Sequence, residues 1–84
     1  MNQVINLAIM EKGQIGTVAG IRGGGNLRLK LASLGIHTGS KVTKSSNIFT
    51  RGPVVIYVGG MEIAIGYKMA CKILIKLHPV ESDR

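Results

Sequence analysis

The sequence predicts an all-β domain with one short helix, a small barrel of about five strands. Three observations carry that expectation: a length of 84 residues, a glycine-turned hairpin between Pro53 and Ile65, and a single stretch of helical periodicity from Leu27 to Leu34. A chain this short holds one domain, and its core must be small. The 45% hydrophobic content is almost entirely aliphatic, with one Phe, two Tyr and no Trp. Charged residues make up 18%, and no low-complexity run interrupts the chain, so a folded domain is expected.

Leu7, Ala8 and Met10 suit either one helical turn or an edge segment, and the sequence leaves both open. Glu11-Lys12-Gly13 is a polar turn. Gln14 to Ile21 carries Ile15, Val18 and Ile21 with Gly16 and Gly20 between them, which reads as a bent strand, because glycine inside a strand marks a bulge or a close backbone approach. Arg22-Gly-Gly-Gly-Asn26 is a loop, and Asn26 is the expected N-cap of a short helix. In that helix Leu27, Leu31 and Leu34 recur at helical spacing and Leu29 broadens the apolar face, while Arg28 and Lys30 point elsewhere. Gly35 suits the left-handed position that ends it.

Ser40 to Ser46 reads as a half-exposed strand around Val42 and Thr43, and 47–52 as a loop. Pro53-Val-Val-Ile-Tyr-Val58, Gly59-Gly60 and Met61-Glu-Ile-Ala-Ile65 then form a hairpin with a two-residue turn. In that register Val58 faces Met61, Ile56 faces Ile63 and Val54 faces Ile65, so one side is wholly apolar and Met61 belongs to the core. Val55 with Ala64 and Tyr57 with Glu62 lie on the other side. A slip of one residue would exchange the faces, so the pairing is strongly specified. Gly66 to Ala70 makes a tight corner or one helical turn, and Lys72 to Leu77 is the last strand, with Ile73, Ile75 and Leu77 on one face. These elements suit an SH3-like barrel, a closed or nearly closed form that protects strand edges. The expected domain is 1–77, with a loose polar tail at 78–84.

Eleven Lys and Arg against four Asp and Glu give a formal net charge of +7. Such a chain attracts anionic partners: nucleic acid, an acidic protein patch or an anionic lipid face. The lone Cys71 permits no internal disulfide, the first ten residues do not suit a signal peptide, and no apolar run approaches the ~18 residues of a membrane span. Cytoplasm is the expected compartment.

Lys12-Gly-Gln-Ile-Gly-Thr-Val18, then Arg28-Leu-Lys-Leu-Ala-Ser-Leu-Gly-Ile36 with Gly39-Ser-Lys-Val42, then Gly60-Met-Glu-Ile-Ala-Ile65 with Ala70-Cys-Lys-Ile73 follow one another in an order that resembles the FeoA family over about residues 4–77. The resemblance implies an SH3-like fold and a cytoplasmic role beside FeoB, the membrane protein with a GTPase domain that moves ferrous iron. It also implies a non-catalytic accessory that docks on FeoB and modulates it, possible recruitment to the inner face of the membrane by that partner, and the family-level association with transition metal ions. A small barrel with apolar loops is also able to self-associate.

On the residues themselves, a metal site is not expected. His37, His78 and Cys71 show no i, i+4 pair or Cys-x-x-Cys spacing, and the acids are not clustered. Cys71 reads as a small core residue. Gly23-Gly-Gly25 lacks the Gly-Lys-Ser/Thr ending of a nucleotide loop and reads as a plain loop, so no cofactor is expected. No Ser, His and Asp set is placed by a motif, so the chain is not expected to be an enzyme. The candidate partner contacts are Arg28, Lys30, Ile48 and Phe49. Ile48-Phe49 is either an apolar anchor for a partner or a cover folded back over the barrel end. The alternative function is a basic small-barrel protein that binds RNA or the ribosome. The charge favours it, and the scarcity of aromatic stacking surfaces opposes it.

Overall fold

The computed structural model describes residues 3–46 and 52–79. Its elements in chain order are β1 (Val4–Asn6), a 3-10 turn (Leu7–Ile9), β2 (Ile15–Ile21), α1 (Gly25–Ala32), β3 (Lys41–Lys44), β4 (Val54–Val58), β5 (Met61–Ile65), α2 (Tyr67–Ala70) and β6 (Ile73–Leu77). The strands form one antiparallel sheet in the order β1-β6-β2-β3-β4-β5, so the barrel has six strands where about five were expected. The extra strand is β1, which is only three residues long and lies against β6.

The open choice for Leu7, Ala8 and Met10 resolves as the helical turn, with an edge strand over the residues just before it. The edge strand β1 ends at Asn6, whose side-chain oxygen accepts from Ile9 N at 3.3 Å and so caps the 3-10 turn. Leu7, Ala8 and Met10 are all buried, which places the turn inside the barrel. Its carbonyls then face no water, and a donor must reach them. Lys44, buried to 1% exposure, supplies it: its ammonium donates to Leu7 O at 3.5 Å, to Ala8 O at 3.4 Å and, more closely, to Met10 O.

In β2 the pairing with β6 shifts register between Val18 and Gly20, leaving Ala19 as a bulge. The bulge explains how Val18 and Ile21, three apart, both turn to the side of Ile75 and Ile73. Ile15 does not share that side, because Gly16 takes the inward position and Ile15 stays 37% exposed on the outer face. Gly16 is the close approach anticipated for this strand. A Cβ there would overlap Ile75 Cγ2 and lie 2.9 Å from the backbone oxygen of Lys76.

The hairpin keeps every pair expected of it, from Val58↔Met61 to Val54↔Ile65. Val54, Ile56, Val58 and Ile65 are buried, whereas Met61 is 66% exposed and is not a core residue. It lies at the turn end of β5, an edge strand of the sheet, where no further strand covers it.

The helix departs most from expectation. It begins at Gly25 with Gly24 as N-cap and no side-chain cap, so Asn26 lies within the first turn and does not cap it. Only Leu31 is fully buried and Leu27 half-buried; Leu29 is 72% exposed, and Leu34 lies beyond the last helical residue at 41%. Gly35, with φ +86°, closes the end as expected. Ile36 N donates to Leu31 O and Gly35 N to Ala32 O, both at 2.9 Å, the paired bonds of a Schellman ending. Leu31 and Ile36 both reach zero exposure, the apolar contact that accompanies this ending. At the C-terminal side the ladder runs into the expected tail, since His78 N donates to Ile15 O at 2.9 Å.

Gly16→Ala should destabilise the domain by about 1–3 kcal/mol, because a backbone oxygen cannot rotate out of the way. Gly20→Ala, with nothing within 4 Å of its Cβ, should be neutral or slightly stabilising in the same urea melts. Lys44→Met should lose about 3 kcal/mol or more by stripping the carbonyls of their donor. Burial also holds the Lys44 pKa below the ordinary 10.5. The folded protein therefore releases this proton before the unfolded chain does, so between the lowered value and 10.5 the unfolded state binds more protons. The stability gap between wild type and Lys44→Met should widen as pH rises through that window. A gap that narrows there would show that the carbonyls, and not burial, set the titration.

Candidate functional site

The charged residues sort by the register of the sheet. Ile21 pairs with Ile73, and Arg22 N donates to Lys72 O at 2.7 Å, so Arg22 and Lys72 stand opposite each other at the ends of β2 and β6. Arg28, in the second turn of α1, sends Nη2 to Ile21 O at 3.1 Å. That bond anchors its guanidinium at the end of β2, on the carbonyl of the residue before Arg22, and leaves most of its five N–H donors for other partners. Lys68 lies four residues before Lys72, on the helical turn continued past α2 by the Cys71 N to Tyr67 O bond. Arg22, Arg28 and Lys72 are exposed and form one cationic end of the barrel, with Lys68 nearby.

Of the two expected helix contacts, Arg28 belongs to this end and Lys30 does not. Two residues along a helix turn about 200°, so Lys30 projects from the other side of α1. Arg22 and Lys72 are the members that sequence reasoning missed, because only the β2–β6 register brings positions 22 and 72 together. Ile48 and Phe49 lie outside the described residues.

The carboxylates among the described residues are Glu11, in the turn before β2, and Glu62 on β5, which accepts from Ser45 Oγ at 2.8 Å. Neither belongs to the cationic end. Among the described residues no three His, Cys, Asp or Glu side chains gather as a metal would require. His78 Nε2 shares a 2.7 Å hydrogen bond with Thr17 Oγ1, His37 Nδ1 donates to Thr38 O at 3.1 Å, and Cys71 packs half-buried against the core.

A groove of about 510 Å³ opens at a different place, between the 35–41 loop and the β4–β5 turn. Ser40 holds the loop: its Oγ donates to Gly35 O at 2.9 Å and accepts from His37 N at 3.0 Å. Lys41, Thr43 and Tyr57 line the groove from the outer face of the sheet, where Thr43 stands opposite Tyr57. No helix among the described residues is long and apolar enough to cross a membrane.

Comparison with known proteins is consistent across sequence and structure. Residues 5–77 match the family model of the FeoA domain. A protein of Methanocaldococcus jannaschii, named provisionally as an Fe(2+) transport protein A, is 37% identical over 70 residues, 83% of each chain. The crystal structure of an iron uptake regulatory protein, FeoA, superposes with a TM-score of 0.82 at 34% identity, covering 90% of this chain and 99% of that one. The zinc complex of Stenotrophomonas maltophilia FeoA, described as a prokaryotic SH3 domain protein, superposes at 0.73 with 17% identity, covering 84% and 88%. That last likeness identifies the six-stranded barrel as SH3-like.

Like charges set opposite each other across strands disfavour the folded state slightly. Lys72→Gln should therefore raise stability by up to about half a kcal/mol at low salt, with the gain fading as added salt screens the cluster. Thermal melts across a salt series measure it.

Proposed function

The chain belongs to the FeoA family and so to ferrous iron transport, and on that premise we propose that it is a non-catalytic accessory that docks on the FeoB transporter and modulates it. The observation that carries the docking reading is the cationic end. Arg22 and Lys72, at the ends of two paired strands, and Arg28 of the helix come together with no carboxylate of the described residues among them, although like charges brought together work against folding. An acidic patch on the cytoplasmic side of the transporter complements this surface. The net charge of +7 steers the encounter, raising the association rate more than the final affinity. The work asked of the domain is recognition, and a rigid barrel that fixes the position of three cations is suited to it.

In this reading Arg28 has two tasks. One donor fastens the 22–25 loop to the end of β2, and the others face the partner. Arg22 and Lys72 supply charge alone, and Lys30, on the far side of α1, contributes only to the long-range field.

Binding of the full chain to the cytoplasmic region of FeoB from its own organism, over a salt series, tests this reading. Lys72→Glu and Arg22→Glu should each weaken binding by about tenfold at low salt, equivalent to ~1.4 kcal/mol, and flatten its salt dependence. Lys30→Glu should cost clearly less. Equal binding by all variants would remove the cationic end from the interface. Tight binding to mixed RNA with none to the transporter region would move the protein to the nucleic-acid class.

A further inference from the structure

The groove between the 35–41 loop and the β4–β5 turn lies apart from the cationic end and has chemistry of its own. On β3, Lys41 and Thr43 project from the outer face while Val42 and Lys44 turn inward, and Thr43 stands directly across from Tyr57, which is 48% exposed. From the opposite wall comes His37. Its Nδ1 donates to Thr38 O, so Nε2 is the ring atom left for a ligand. Besides Ser40, whose hydroxyl is engaged within the loop, the groove thus gathers two nitrogen groups able to carry positive charge and two hydroxyls, with no carboxylate among the described residues of its lining. Glu62, across from Tyr57 on β5, is held toward Ser45.

The lip of the groove is bare backbone. Gly59 and Gly60 form the turn at φ +57° and +80°, and a Cβ at either would meet nothing within 4 Å. Opposite them Gly35 meets Val58 with no side chain of its own: a Cβ there would lie 3.8 Å from Val58 Cγ1. The result is a shallow channel open at the surface, with a volume in the range that holds a small ligand or a few residues of extended peptide.

We propose that this groove receives an extended acidic segment of the protein partner, with a carboxylate set at Lys41 and His37 and the segment's backbone against the hydroxyls of Thr43 and Tyr57. The inference rests on the docking reading above and adds a second point of contact to it. Charge complementarity selects an acidic occupant, since every described ionisable group of the lining other than Tyr57 is basic. A peptide is favoured over single-stranded nucleic acid because strand binding relies on successive aromatic platforms, and the described residues of the groove supply one. Two separated contacts, one at the barrel end and one in the groove, would fix the orientation of the domain on its partner as a single charged patch cannot.

The test uses the isotope-labelled full chain titrated by NMR with a hexaglutamate peptide and, separately, with hexauridine. Hexaglutamate should shift the backbone amides of 36–43 and 57–61, and Lys41→Glu should weaken that binding by about tenfold or more. Thr43→Val, which keeps size and shape, should weaken it by about threefold with an unchanged amide spectrum elsewhere. Hexaglutamate shifts confined to the surroundings of Arg22, Arg28 and Lys72 would overturn the groove assignment and leave the docking reading intact. Stronger groove shifts with hexauridine than with hexaglutamate would overturn the peptide occupant. In a parallel arm, Lys41→Glu and wild type are compared for binding to the cytoplasmic region of FeoB. A weakened variant supports the groove as part of the interface, and equal binding removes it. Failure of wild type to bind that region defeats the docking reading itself, and with it the proposed partner.

Discussion

The ammonium of Lys44 meets three carbonyls inside the barrel, and the path of the whole N-terminal segment depends on that meeting. A 3-10 turn packed into a core has apolar side chains to bury and backbone oxygens that lose their water. Leu7, Ala8 and Met10 supply the first, and without a donor the second would oppose burial. An ammonium has three donors and no acceptor, which matches three convergent carbonyls better than a hydroxyl or an amide would. The position of Lys44 within β3 is set by the sheet, through Lys44 N to Gln14 O and Gly13 N to Lys44 O, both 2.9 Å. The turn is therefore held from a strand 34 residues or more away in sequence. With it fixed, β1 is delivered to the edge of β6 and β2 starts in register.

The parts of this fold legible in the sequence are those in which local chemistry and burial pattern agree. The β4–β5 register follows from a two-glycine turn and an alternation that tolerates no slip, and all five pairs stand as the pattern requires. The bend in β2 follows from two glycines and an apolar spacing of three that a regular strand cannot bury on one face. In the helix, leucine spacing overstates burial. A short helix lying over the end of a small barrel has room to bury little beyond Leu27 and Leu31, so Leu29 stays in solvent however well its position fits the period. Met61 departs from the pattern for a related reason: facing the apolar side of a ribbon buries a residue only where something covers that side.

Less of the site was legible. Arg28 could be singled out from its place on the helix, but its neighbours Arg22 and Lys72 are joined to it by strand pairing over 50 positions, for which the sequence carries no local signal. Lys44 was invisible for the same reason. A lysine between a threonine and a serine in a half-polar strand reads as solvated, and only the arrival of the 3-10 turn makes it a core residue.

The way Lys44 is satisfied also bears on what the surface can do. A buried ammonium is commonly matched by a carboxylate, which would have used one of the four acids this chain possesses. Here the backbone takes that role, so neutralising the core charge consumes no acid. With Glu62 engaged by Ser45 and Glu11 placed in the turn before β2, neither carboxylate among the described residues offsets the charge of Arg22, Arg28 and Lys72 at one end of the barrel. The repulsion among them is small because all three are exposed and water screens them. Against an approaching anionic surface that excludes the same water, the screening falls and the attraction grows as contact is made. A domain with so small a core can carry such a surface because the buried cation Lys44 is balanced by dipoles, and the excess charge is left where a partner can meet it.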